Sequence, residues 1–167
     1  MNRLERLREV PDAAWTQTLP RKLPVRVAEA MARDPGRAWL MARMIVAYVA
    51  VSALARLLPL PRAFALISPR LGSRGEGQER PNAIVNALDT LLVAGIPGIH
   101  PQCWRRAAVL HRFLRVAGID TAIVFGVRTD GTRTVEAHAW VEREGAPFAE
   151  AADTKGYQRV FEFPTGC

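Results

Sequence analysis

The chain has 167 residues, 49% of them apolar and 23% charged, with a formal net charge of +7. That length holds one domain with a real core, and the apolar share excludes a disordered chain. Two cysteines, Cys103 and Cys167, exclude a disulfide framework. The charged N-terminus lacks the apolar core of a signal peptide. The most apolar stretch, residues 39–60, is interrupted by Arg43 and Arg56 and reads as a buried core helix rather than a bilayer span.

The charge is unevenly spread. Residues 1–80 hold fourteen Lys/Arg and seven Asp/Glu, a balance of +7, whereas residues 81–167 hold nine of each. The basic first half points to an acidic partner or to a solvated arginine-rich face. It carries no recognised nucleic-acid motif, and its aromatic residues are not interleaved with its arginines as in single-strand platforms. No nucleic-acid partner is therefore expected, although a non-catalytic basic protein binding nucleic acid or membrane is the rival class.

Prolines divide the first half into helices. Residues 3–9 form a short charged helix ending before Pro11, and Pro24 opens another that runs to about Arg33. Pro35-Gly36 breaks the chain, and a long helix follows to about Leu58, where Pro59-Leu60-Pro61 stops it. Residues 68–81 are rich in Gly, Pro and charge and read as an exposed mobile loop. Ile84, Leu88, Leu91 and Leu92 recur at helical spacing over residues 83–94, which close at Gly95.

The second half changes character. Residues 103–117 form a helix with Cys103, Ala107, Leu110, Leu114 and Ala117 on a core-facing stripe. Arg105, Arg106, Arg112 and Arg115 are left for its outer side, His111 reads as surface, and Gly118 terminates it. Strand-like runs follow at 121–128, 134–143, 147–151 and 157–163, with turns at Asp130-Gly131 and Glu144-Gly145. The expected fold class is α+β: a helical first half (1–67), the loop 68–81, and a core over 82–167 in which the Cys103 helix packs on a small antiparallel sheet, all in one domain.

Cys103 begins its helix, where unpaired N–H groups and the helix dipole favour a thiolate. In the strand 134–142, Val135, Ala137, Ala139 and Val141 share one face, which leaves Glu136, His138 and Trp140 on the other. A strand after the Cys103 helix can bring an imidazole to that helix's N-terminus, making His138 the candidate base. A carboxylate opposite His138 would orient the ring. If Arg143-Glu144-Gly145 form a three-residue loop, Glu142 pairs with Ala146 and Glu150 lies opposite His138. A four-residue loop, Glu144 to Pro147, puts Asp153 there instead. The shorter loop is favoured, because such hairpins are common and leave Pro147 near a strand start. The backbone N–H of Cys103 and the Gln102 side chain are candidate oxyanion donors, and Trp104 and Trp140 are candidates to wall a cleft or to pack in the core. His111, about 12 Å along the helix from Cys103, is too far to serve as its base. A zinc site from His100, Cys103 and His138 matches no known ligand set, so no metal is expected.

Cys103-Trp104-Arg105-Arg106 opening a helix, then Gly118-Ile119, Val124 to Val127, His138-Ala139-Trp140-Val141-Glu142 and Gly145, resembles the stand-alone "B" leader peptidases of lasso-peptide biosynthesis. These belong to the transglutaminase-like branch of the papain-like cysteine peptidases. The resemblance is strongest over residues 100–150 and continues more weakly upstream, through Leu57-Leu58-Pro59. It implies Cys103 as nucleophile, His138 as base and an acid on the following strand. Members often carry Asp where this chain has Glu150. It further implies an enzyme that removes the leader of a ribosomally made precursor peptide; no cofactor is expected, and the missing export signal implies a reducing cytoplasm. A separate leader-recognition protein and an ATP-dependent macrolactam cyclase would be its partners. The same Cys–His pair also serves transglutaminase-like acyl transfer to an amine, and the sequence leaves that alternative open.

Overall fold

Asp34 sets the start of the first described helix. Its backbone is extended (φ −136°), its carboxylate accepts the Arg37 N–H at 3.0 Å, and Pro35 fills the first turn, where a missing donor costs nothing. The computed structural model describes residues 34–72, 80–94, 96, 99–129, 135–150 and 152–164. The helices expected at 3–9 and 24–33, Gly95, the Asp130-Gly131 turn and Cys167 lie outside the described residues.

Helix α1 (Pro35–Leu57) buries Leu40, Met41, Met44, Tyr48, Val51 and Ala55, a stripe at three- and four-residue spacing. By length and composition alone α1 is apolar enough to cross a bilayer, and 44% of its most apolar window is buried within the protein. Leu58 and Pro59 interrupt the chain, and α2 (Leu60–Ile67) follows at once. This short helix was not expected, since Pro59-Leu60-Pro61 read as a stop. Pro61 lies in the first turn of α2, where proline starts a helix as readily as it ends one.

Residues 68–72, which open the segment expected as a loop, are fastened to the cysteine helix. The Gly72 N–H donates to the Arg115 carbonyl at 2.9 Å, and Arg115 Nε donates to the Pro69 carbonyl at 3.3 Å. A Cβ on Gly72 would stand 2.3 Å from the Val116 carbonyl oxygen, so only glycine permits this approach. Helix α3 (Pro81–Val93) then buries Ile84, Leu88, Leu91 and Leu92, the apolar positions anticipated from their spacing, together with Ala87.

Helix α4 (Cys103–Val116) is the centre of the molecule, packed on α1 and α3 and on the sheet. It ends as expected. Gly118 adopts φ +76°, and the Ile119 N–H returns to the Leu114 carbonyl at 2.9 Å. Its predicted inner stripe is real, but its outer side is not free. Ala108, Val109, Phe113, Arg106 and His111 are buried as well. His111, expected at the surface, is fully enclosed between Thr121 Oγ1 (3.0 Å) and Ser68 Oγ (3.1 Å). The other elements surround α4, so a polar residue on any side of it needs an internal partner.

Strands β1 (Ala122–Thr129), β2 (Val135–Arg143), β3 (Ala146–Pro147) and β4 (Gln158–Phe163) form one antiparallel sheet in the order β3-β2-β1-β4. With four helices and this sheet among the described residues, the fold is α+β. Ile123, Phe125, Ala139 and Val141 face α4 and join Met44, Tyr48, Phe64, Leu88 and Leu110 in one core. Each such fully buried large side chain contributes about 1.5–3 kcal/mol. Phe64 ties α2 to the sheet, 6.0 Å from Phe125 and 5.8 Å from Phe163 between ring centres.

Candidate active site

Three elements converge at the start of α4. Cys103 is its first residue, half-buried, after Gln102 in extended conformation. The first helical hydrogen bond runs from the Arg106 N–H to the Gln102 carbonyl, which leaves the N–H groups of Cys103, Trp104 and Arg105 without helical acceptors. The Gln102 side chain makes no cap bond, and its Oε1 is buried without a partner.

His138 lies on β2 directly across from Gly126 of β1. Cys103 neighbours the imidazole closely enough to raise its pKa by hydrogen bonding and charge. The Glu150 carboxylate meets the other side of the ring, with Oε1 3.4 Å from Nε2. That separation gives ionic contact but poor hydrogen-bond alignment, and Nε2 has no well-formed bond. With Nε2 turned to Glu150, Nδ1 is the nitrogen left for the thiol.

Electrostatics couple the three groups. Burial alone would lower the pKa of His138, but the hydrogen bonds and charges of Cys103 and Glu150 outweigh it and raise it to about 9. Burial likewise pushes Glu150 up, and His138, the Ala152 N–H and Arg106 more than offset it, so its carboxyl titrates below the ordinary value. Near neutral pH the site therefore holds an imidazolium between two groups able to carry negative charge.

Glu150 arrives by a route the sequence reading did not anticipate. The β2–β3 turn has two residues, Glu144 (φ +54°) and Gly145 (φ +77°), and Arg143 pairs with Ala146. This register sets Glu150 one step away from His138, on the wrong side of an ideal ladder. Strand β3 is also shorter than the expected 147–151 and ends at Pro147. After the Phe148 N–H bonds the Val141 carbonyl at 2.8 Å, Ala149 enters the left-handed region (φ +51°) and re-aims the chain. Asp153, the second choice, is exposed and bonds the Lys155 N–H at 2.9 Å within its own turn.

The tryptophans take different places. Trp104 is half-buried against the core with the Arg105 guanidinium 5.0 Å above its ring. Trp140 is only 3% exposed, lies nearly parallel to His138 (ring centres 6.0 Å apart, 19° between planes) and donates to Glu142 Oε1 at 2.9 Å. It supports the imidazole from behind. Two residues without a sequence signal complete that support. Tyr157 stands 5.8 Å from His138 and 6.1 Å from Trp140, and Gly126 gives both rings room. Arg106 was assigned to the outer side of α4, yet it is buried beside Glu150. Among the described residues, no group of three or more His, Cys, Asp or Glu is arranged to hold a metal ion.

A helix-initial cysteine coupled to a strand histidine, itself met by a carboxylate, can perform nucleophilic acyl chemistry. The family model of the transglutaminase-like superfamily matches residues 44–162, well over half of the chain. The chain belongs to the transglutaminase-like superfamily. That superfamily generally includes cysteine proteases and transglutaminases, and Cys103, His138 and Glu150 all fall within the matched span. No curated protein and no solved structure shows significant similarity to the chain.

Proposed function

We propose that the protein is a cysteine peptidase that removes the leader segment from a lasso-peptide precursor. The observation carrying this reading is the juxtaposition of Cys103, His138 and Glu150 at the open end of α4. Cys103 attacks the scissile carbonyl as the thiolate. The N–H groups at the start of α4, that of Cys103 first, stabilise the oxyanion, with Gln102 as a second donor. His138 as imidazolium then protonates the leaving amine, and as neutral imidazole it draws a proton from the water that hydrolyses the thioester. Glu150 keeps the ring oriented and its charged form stable.

The choice of precursor follows from the sequence resemblance over residues 100–150. A separate leader-recognition protein presents the precursor, and an ATP-dependent cyclase closes the ring on the freed core. Work on a cytoplasmic peptide suits a chain whose paired thiol must stay reduced. Transglutaminase-like acyl transfer is the second reading, because the same thioester can pass to an amine.

Mass spectrometry of the precursor encoded beside the gene, incubated with the protein and with or without a neighbouring leader-binding protein, tests the proposal. Cleavage at a single leader–core bond, lost in Cys103→Ala, is the expected result. Mass gain by an added amine without release of a leader would move the assignment to acyl transfer.

A further inference from the structure

Arg106 is 6% exposed, yet no apolar contact explains a guanidinium there. Its Nε donates to Asp89 Oδ1 at 2.9 Å and its Nη2 approaches Asp89 Oδ2 at 3.3 Å, a two-pronged clamp to α3. The same Nη2 donates to the Ala149 carbonyl at 2.8 Å, and Nη1 lies 3.8 Å from Glu150 Oε2. One side chain thus joins α3, α4 and the segment that delivers the acid to His138.

That segment needs holding. The β2–β3 ladder has ended by Phe148, and Ala149 is a Cβ-bearing residue in the left-handed region, which it leaves unless its surroundings fix it. The turn at Ala149 is also what brings Glu150 to His138 against the register of the hairpin. Glu150 Oε1 is shared between the Ala152 N–H at 3.1 Å and His138, while Oε2 faces Arg106. Without the guanidinium the Ala149 carbonyl loses its buried donor, and a carboxylate only 2% exposed loses the permanently charged cation beside it.

We propose that Arg106, clamped by Asp89, is a positioning residue that sets the Ala149 turn and so holds Glu150 against His138. The proposal rests on the reading of Cys103, His138 and Glu150 as one acting unit. It extends the site to α3 through Asp89. The alternative is that Arg106 merely glues α3 to α4, with no effect on the imidazole beyond general stability.

The test uses the full chain and needs no substrate. The ring protons of His138 are titrated by NMR, and alkylation of the Cys103 peptide by iodoacetamide is timed at pH 7. Both are measured in Arg106→Gln, Arg106→Lys and Asp89→Asn, each alone and combined with Glu150→Gln. Arg106→Gln is expected to lower the His138 titration by roughly half a unit or more and to slow alkylation about fivefold. Lysine, which keeps the charge and one donor, should recover part of that loss, and Asp89→Asn should give a smaller loss of the same sign. In the Glu150→Gln background, removing Arg106 should add less than about a twofold loss, because its effect passes through the carboxylate. A folded Arg106→Gln or Asp89→Asn with a wild-type His138 titration would overturn the proposal, as would full multiplicative loss in that background. Should Arg106→Gln fail to fold, Asp89→Asn and Arg106→Lys decide by the same criteria. If Glu150→Gln itself leaves His138 unmoved, the triad reading fails and this proposal falls with it. If Glu150→Gln moves His138 and the Arg106 and Asp89 variants do not, this proposal alone fails.

Discussion

Gly126 and His138 face each other across the β1–β2 ladder, and the missing side chain of one makes room for the support of the other. A Cβ on Gly126 would stand 2.7 Å from Cη2 of Trp140 and 2.8 Å from Cβ of Tyr157, the two rings beside the imidazole. Gly126→Ala is therefore expected to destabilise the protein by about 1–3 kcal/mol through overpacking. Chemical denaturation checks this. An unchanged midpoint would mean that Trp140 has slack to move.

The His138 pKa of about 9 sets the alkaline edge of activity. The imidazolium needed to protonate the leaving amine persists through neutral pH and is lost as pH rises through about 9. Since Glu150 helps to raise that value, Glu150→Gln should move the alkaline limb of kcat/KM to lower pH. A limb that stays in place would remove Glu150 from the ring's environment. The stability linkage has the same sign: the folded value lies above the unfolded 6.5, so the contribution is complete below about 6.5 and is lost as pH rises through 9.

His111 carries the opposite linkage. Burial, then the nearby Arg115, lowers its pKa to about 4, so the folded chain refuses a proton that the unfolded chain accepts near 6.5. Its stabilising contribution is complete above 6.5 and falls away toward pH 4. Between pH 7 and pH 5 it should amount to about 2 kcal/mol. His111→Gln should unfold more easily at pH 7 yet lose that part of the acid sensitivity. Urea midpoints of both proteins at the two pH values measure it, and parallel losses would show that His111 is already charged when folded.

Much of this site is legible in the amino-acid order, because its key features are local. Helix position puts Cys103 at the start of α4 and Gly118 ends that helix, but alternation along β2 does not divide core from surface as expected: Val135 is exposed, whereas Trp140 and Glu142, on the His138 face, are buried. Glu150 does lie beside His138, but not through the hairpin register expected to bring it there. The Ala149 turn that rescues it depends on Arg106, more than forty residues earlier, and no periodicity carries such a contact. Arg106 and His111 look like surface residues on a helical wheel because the wheel assumes one solvent face. On helix α4 Arg105, Arg112 and Arg115 keep partial exposure while Arg106 and His111 are buried, with Asp89, Ser68 and Thr121 as their partners. The helix at Leu60–Ile67 was hidden for another reason: prolines punctuate starts and stops alike.

Glu142 is a further test of how the imidazole is supported. It is buried, accepts the Trp140 indole N–H at 2.9 Å and pairs with Arg159. Glu142→Ala should cost about 2–3 kcal/mol, since it leaves the indole donor unpaired and a void behind it. Near-ultraviolet circular dichroism should register the loosened tryptophan. Wild-type stability and an unchanged spectrum would show that the stack on His138 is held without Glu142.

The central claim is that Cys103 and His138 act as a pair, and the rate of Cys103 alkylation against pH tests it without any substrate. At pH 6 the account predicts that the Cys103 peptide reacts with iodoacetamide at least about tenfold faster than glutathione, and that His138→Asn abolishes the advantage. Equal rates in the wild-type and His138→Asn proteins, with both folded, would contradict it.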